Sequence, residues 1–185
     1  PPVNSKRMSH WQKKMEENFR NGLLSKEEKS IQAIEIWQRT KTEIEKFGNR
    51  VYAAQVDATR SDEVKKIFSE IISKIGKLDI LVNNIGSIEK FGSFLELEDE
   101  DWKRCLDINF MSAVYNTRES IPFLKKSESG RIINISTIAA KQPGFFNPHY
   151  TAAKAALLNL SKHLSNILAK DKILVNAICL STIKT

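Results

Sequence analysis

From Val51 onward the chain predicts an α/β fold built on a parallel sheet. Short apolar runs rich in β-branched residues alternate with longer stretches that carry an apolar stripe at helical spacing. Cap and stop signals stand at the junctions between them. Val51–Val56 reads as the first strand, ending at Asp57. Ser61 is the expected N-cap of the next helix, with Asp62 and Glu63 favourably placed in its first turn. Val64, Ile67, Phe68, Ile71 and Ile75 form its apolar face, and Gly76 ends it. Residues 78–82 (Leu-Asp-Ile-Leu-Val) are the second strand. A long helix is expected from about Asp99, with Trp102, Leu106, Phe110 and Val114 on one side, fading near Pro122. Residues 131–135 form the third strand, a helix around Tyr150 runs to about Lys170, and residues 173–178 are the fourth strand.

The first 48 residues differ in character and are expected to be a helical N-terminal segment, with 49–185 the core. Met8, Trp11, Met15 and Phe19 recur at helical spacing. Ser25 and Glu28 make a capping box that opens a long helix to about Phe47, stopped at Gly48. The favoured reading is two surface helices packing an apolar stripe on a core, against a dedicated partner-binding arm.

A chain of 185 residues with 41% hydrophobic and 28% charged residues has the make-up of one ordinary globular domain. No run approaches the roughly 18 apolar residues of a membrane span. The first residues lack the apolar run of a secretory signal. Cys105 and Cys179 stand apart inside apolar stretches, so both are expected to be buried free thiols. No metal-ligand spacing occurs, and a cytoplasmic location fits. The net charge of +7 is spread, with 11 Lys/Arg against 7 Asp/Glu in residues 1–50 and 18 against 15 in the remainder. That distribution argues against nucleic acid as a partner.

The residues that carry chemistry cluster in the second half. Tyr150 and Lys154 lie four apart on a helix, so both project from one face. A nearby ammonium favours the phenolate and lowers the pKa of a phenol that ordinarily titrates near ~10. Such a pair suits proton exchange with an alcohol or carbonyl oxygen. Asn83-Asn84-Ile85-Gly86 follows a strand at the carboxyl edge, where open α/β sheets bind ligands. Amides there can tie strand ends together, and Gly86 lets backbone approach a ligand. Asn109 is an amide in the middle of an apolar helix; alone, it would cap a backbone irregularity or bind water. Asn134-Ile135-Ser136-Thr137 puts hydroxyls at a strand end. His149 reads as an exposed turn histidine before a residue touching substrate. Phe145 and Phe146 either line a substrate pocket or pack their own loop.

Together these residues, from roughly Glu43 to Thr185, resemble the short-chain dehydrogenase/reductase family. The resemblance implies a Rossmann-like, doubly wound parallel sheet, here without the first βαβ unit and the last strand. It also implies an oxidoreductase that uses NAD or NADP to interconvert a small-molecule alcohol and a carbonyl, in a homodimer or homotetramer. Asp57 then contacts adenine, Asn84, Ile85 and Gly86 line the cofactor, and Asn109 holds a relay water. Tyr150 is the general acid or base. Lys154 lowers its pKa and bonds the nicotinamide ribose, and the segment from Ile183 to Thr185 holds the carboxamide.

Three departures accompany the resemblance. The family's catalytic Ser, thirteen positions before the Tyr, is Thr137 here. Neighbouring strand residues face opposite ways, so only one of Thr137 and Ser136 can serve, and Thr137 is favoured. Leu180-Ser181 replaces the usual Pro-Gly. No glycine-rich turn for a pyrophosphate occurs in residues 1–50, whose only glycines are Gly22 and Gly48. The favoured expectation is that this sequence belongs to a longer chain that carries the turn. The alternative is a non-enzymatic binding or scaffold protein that kept the fold and lost the nucleotide site.

Overall fold

The computed structural model describes residues 14, 17–18, 25–48 and 50–181. Two compact units divide the chain, Pro1–Gln55 and Val56–Thr185. In the first, helix α1 (Lys26–Glu45) opens with the expected capping box: Glu28 N donates to Ser25 Oγ at 3.1 Å, and Ser25 N to the Glu28 carboxylate at 2.8 Å. A turn then ends at Gly48 with φ 77°, the left-handed conformation glycine tolerates. The Met8, Trp11, Met15 and Phe19 stripe, like Ile183 and Thr185, lies outside the described residues.

The expected strand at 51–56 carries no sheet pairing. Among the described residues no strand pairs with it, and a strand without a partner has no ladder to join. Ser61 also departs from expectation: it is the first residue of α2 (Ser61–Ile75), and no side chain caps the preceding Arg60. Asp57 organises that turn instead, accepting from Thr59 N at 2.9 Å and Thr59 Oγ1 at 2.7 Å. Gly76 ends α2 in the left-handed region as expected.

Three parallel strands follow, β1 (Ile80–Asn83), β2 (Arg131–Thr137) and β3 (Leu174–Leu180), in the order β1-β2-β3. The β1–β2 crossover is one continuous helical rod: α3 (Asp99–Leu106), a π turn (Asp107–Met111) and α4 (Ser112–Leu124). Helix α5 (Pro148–Leu168) connects β2 to β3. Pro148 sits at the start of α5, where its missing N–H costs nothing.

The apolar core lies between the sheet and helices that cover it: Leu124 of the Ser112–Leu124 helix and Leu164 and Leu168 of the Pro148–Leu168 helix pack with Ile132, Ile173 and Val175, with Leu81, Ile121 and Leu160 at the edge. Period-two alternation on β2 sends Ile132, Asn134 and Ser136 into this layer and leaves Ile133, Ile135 and Thr137 half-buried on the other face. On that other face Ile80, Val82, Leu174, Ile178 and Leu180 are exposed. Among the described residues no helix is long and apolar enough to cross a membrane. Cys105 is a buried free thiol as expected, whereas Cys179 is only half-buried because β3 is an edge strand.

Register explains a buried polar network within the core layer. Asn83 pairs with Asn134 across β1 and β2. Their side chains meet directly, Asn83 Nδ2 donating to Asn134 Oδ1 at 2.8 Å and to Thr117 Oγ1 at 3.1 Å. Asn134 Nδ2 donates to Ser161 Oγ at 2.8 Å, which ties α5 to the sheet. Removing one member strands its partners without water. Asn134→Leu is therefore expected to destabilise by about 1–3 kcal/mol, read as a lower urea midpoint at unchanged m value. An unchanged midpoint would show that the network carries no stability.

Candidate active site

The strands end where the chemistry-bearing residues gather. Tyr150 and Lys154 occupy the first two turns of α5. Asn147 starts that helix from φ 58°, its carbonyl accepting from Tyr150 N at 3.1 Å and Thr151 N at 3.2 Å. Lys154 is 3% exposed. Its ammonium donates to the carbonyls of Ile85 at 3.0 Å and Ile135 at 3.1 Å, and lies 5.9 Å from the Tyr150 ring centroid. One cation thus joins the ends of β1 and β2 to the start of α5.

Gly86 closes the same space. A Cβ there would stand 3.1 Å from Lys154 Nζ and 3.3 Å from Asn109 Oδ1. A methyl here would crowd the Lys154 ammonium and the Asn109 amide, which would have to give by a few tenths of an ångström. Gly86→Ala is expected to push the Lys154 ammonium off its two carbonyls. The variant should unfold at a lower urea midpoint, since those contacts fasten the ends of β1 and β2 to α5. An unchanged midpoint would show that the site relaxes around the methyl.

Asn109 sits at the centre of the π turn and is buried. Its Nδ2 donates to Ser87 O at 2.7 Å and folds back onto Cys105 O at 3.0 Å, while Oδ1 accepts from Ser87 N at 3.1 Å. The amide thus caps a helix irregularity and fastens the loop after Gly86, as π turns at functional sites commonly do. Ser87 and Cys105 were not among the sequence candidates. A Cys four residues before a buried Asn was a usable signal, but the Ser87 contacts are to backbone and carry none.

The two adjacent hydroxyls part as strand geometry requires. Ser136 is buried and donates its Oγ to the Lys154 carbonyl at 3.1 Å. Thr137 is half-buried on the opposite side, its Oγ1 accepting from Ala139 N at 3.3 Å.

Electrostatics depart from the expectation for the pair. Burial raises the Tyr150 phenol above its ordinary value, and the Cys105 sulfur adds to the rise. Burial lowers the Lys154 ammonium, with Cys105 opposing. Burial thus outweighs any lowering by the Lys154 ammonium 5.9 Å from the ring centroid. Asp57 is held below its usual range, chiefly by the two Thr59 hydrogen bonds, with Arg104 and Arg60 helping and partial burial opposing. Asn84 and Ile85 are exposed beside Gly86. His149, expected as an exposed turn residue, is 2% exposed, edge-on to Trp102 at 5.9 Å. Its position one residue before Tyr150, in the first turn of α5, turns it inward onto α3. No cluster of potential metal ligands occurs among the described residues.

A parallel α/β sheet of Rossmann type with a Tyr–Lys pair at its carboxyl edge defines a class of nucleotide-dependent redox folds. The chain belongs to the short chain dehydrogenase family, whose model matches residues 14–185. That match runs across α1 as well as the sheet-bearing unit. A 3beta-hydroxysteroid dehydrogenase 2 of Eggerthella lenta is 31% identical over 140 residues, covering 75% of this chain and 54% of the relative. A 3-oxoacyl-[acyl-carrier-protein] reductase FabG of Staphylococcus epidermidis is 32% identical over 137 residues, covering 74% and 55%. Carveol dehydrogenase from Mycobacterium avium, solved in complex with NAD, superposes with a TM-score of 0.78 at 24% identity, over 82% of this chain and 55% of that one. The chain spans about half the length of the relatives it matches.

Proposed function

We propose that the whole protein is an NAD(P)-dependent oxidoreductase that interconverts an alcohol and a carbonyl. The observation that carries this reading is the buried Lys154 ammonium, held between two strand-end carbonyls, beside Tyr150 and the side-chain-free Gly86. The residues present fit the nicotinamide half of the cofactor. The space a Cβ at Gly86 would fill is bounded by Lys154 and Asn109, and a ribose hydroxyl suits an ammonium donor there. Asn84, Ile85 and Asp57 would line the rest of its path, with Ile183 and Thr185 beyond the described residues. When bound, the nicotinamide supplies or accepts the hydride.

The chain's own residues handle the proton. Tyr150 donates it to the carbonyl oxygen during reduction and takes it from the alcohol during oxidation. The Thr137 hydroxyl orients that oxygen. Ser136 holds the Lys154 turn of α5 and takes no part in the chemistry. Asn109 sets the loop after Gly86 and supplies the polar end of the relay. A cytoplasmic enzyme fits the two free thiols. A homodimer or homotetramer is supported by Phe110 and Val114, which remain half-buried on the α3–α4 rod. Light scattering tests it, and a monomer at working concentration refutes it.

A second reading, a binding or scaffold protein on the same fold, is favoured by the lack of a glycine turn in residues 1–50 and by Leu180-Ser181. Titration of the full-length protein with NADH and NADPH separates the two. Micromolar binding of either supports the enzyme and gives its cofactor preference; no binding of both supports the scaffold.

A further inference from the structure

We propose that a small polar cavity beside the start of α5 is a water site, and that His149 is a positioning residue which, through that water, holds Tyr150 in place. The site stands on geometry alone. Its effect on turnover rests on the oxidoreductase reading above.

The loop that follows Gly86 is held at each end by an asparagine. At one end the Asn109 amide takes both backbone groups of Ser87, accepting from its N–H at 3.1 Å and donating to its carbonyl at 2.7 Å. At the other end Asn147 treats Gly92 alike. Its backbone N–H donates to Gly92 O at 2.8 Å, and its Oδ1 accepts from Gly92 N at 3.1 Å. Between these ends, ion pairs tie the loop to α3: Lys90 with Asp101 at 2.8 Å, and Glu89 with Arg104 at 3.2 Å.

A cavity of about 40 Å³ lies against this loop, lined by Ser87, Glu89 and Lys90, by Asp101 and Cys105 of α3, and by His149. It has room for about one or two waters and for nothing the size of a substrate. Tyr150, Lys154 and Asn109 do not line it, so it is separate from the groups that handle the proton.

Two of its walls have bonding capacity to spare. His149 is 2% exposed, yet its Nδ1 has no hydrogen-bond partner among the described residues. The edge-on contact with Trp102 packs the ring and satisfies neither nitrogen. Asp101 receives Lys90 Nζ at 2.8 Å and Glu98 N at 2.9 Å on one oxygen, Oδ2, which leaves Oδ1 to accept. The proximity of these walls shows in the Asp101 carboxyl: Lys90 and the Glu98 N–H chiefly hold it below its usual range, and His149 also lowers it. Buried polar atoms are seldom left unpaired, and a ring nitrogen either donates or accepts. One water in the cavity meets both needs, bonding Nδ1 and donating to Asp101 Oδ1. That bridge fixes the imidazole, and with it the first turn of α5, against a fastened loop. Tyr150 is the next residue in that turn.

Crystal structures of the full-length protein, wild type and His149→Phe, test this. Phe keeps a ring against Trp102 and cannot bond a water. The wild type should show an ordered water within about 3.2 Å of His149 Nδ1 and Asp101 Oδ1. His149→Phe should lose it, with the Tyr150 hydroxyl displaced by about 1 Å, a shift that can cost about 100-fold in rate. Reduction of 2,3-butanedione, with whichever of NADH and NADPH the protein binds, should then show kcat lowered about 10- to 100-fold and KM little changed. His149→Asn, whose amide can bond the water, should recover most of that loss.

A dry cavity in the wild type, or an unmoved Tyr150 in His149→Phe, would overturn the proposal. So would equal losses of kcat in the Phe and Asn variants, which would make the shape of the ring matter and not its nitrogen. If His149→Phe does not fold, the wild-type water and the activity of His149→Asn decide the matter. A water on His149 in a protein that binds neither NADH nor NADPH would sink the oxidoreductase reading and leave the site standing. No water there in an active enzyme would do the reverse.

Discussion

Replacing Tyr150 with Phe is expected to lower kcat by about two to four orders of magnitude, the usual worth of a positioned proton donor. Cofactor affinity should change little, because the ribose contact assigned above belongs to Lys154. The ring's half-buried packing is retained, so stability should hold as well. The direction of the pKa shift adds a second expectation. With the phenol raised by burial, Tyr150 is protonated at neutral pH and suited to donate during reduction. Oxidation needs the phenolate, so its rate should climb with pH through the alkaline range while reduction stays level or falls. Rates measured in both directions from pH 6 to 10 check this. Full turnover by Tyr150→Phe would remove Tyr150 from the mechanism.

Lys154→Met should remove both turnover and cofactor affinity, a combination the Tyr150 variant does not share. The ammonium bridges the carbonyls of Ile85 and Ile135, so its loss unfastens β1 and β2 from α5 at the point where the cofactor would sit. Two part-buried carbonyls then lose their charged donor, at a cost of about 1–3 kcal/mol in all. Relief of the desolvated charge offsets part of that cost. The linkage has a definite sign. Burial lowers the folded-state pKa of Lys154 below its unfolded value of 10.5. Between those two values the unfolded chain binds more protons, so wild-type stability gains with rising pH in that window. Tyr150 acts oppositely above 10.0, where the unfolded chain releases its proton first and stability falls. Urea midpoints across alkaline pH should therefore show the rise in the wild type and not in Lys154→Met. An identical pH profile would mean the ammonium is solvated and the bridge is absent.

Much of this molecule was legible from residue order. Capping chemistry at Ser25 and Glu28 and the glycine stop at Gly76 are local, so the sequence specifies them without help from the rest of the chain. The strands at 80–83, 131–137 and 174–180 showed as apolar runs, and the Tyr150–Lys154 spacing announced a shared helical face. Alternation along β2 also required Ser136 and Thr137 to part company.

Other features needed partners distant in sequence. Val51–Val56 has the composition of a strand, but pairing is a property of two strands, and among the described residues none pairs with it. His149 looks like any turn histidine until α3 brings Trp102 over it. The sign of the Tyr150 shift could not be read from spacing, because spacing brings the lysine close without saying how deeply the phenol is buried. Packing decided that, and desolvation dominates the phenol. Asn147 shows the same limit: its two hydrogen bonds with Gly92 exist only because the loop at Gly92 folds back to meet it. Helix caps and apolar periods are short-range and are written in neighbouring residues. Hydrogen bonds between loops, and the electrostatics they set, come into being only when the sheet brings strand ends together.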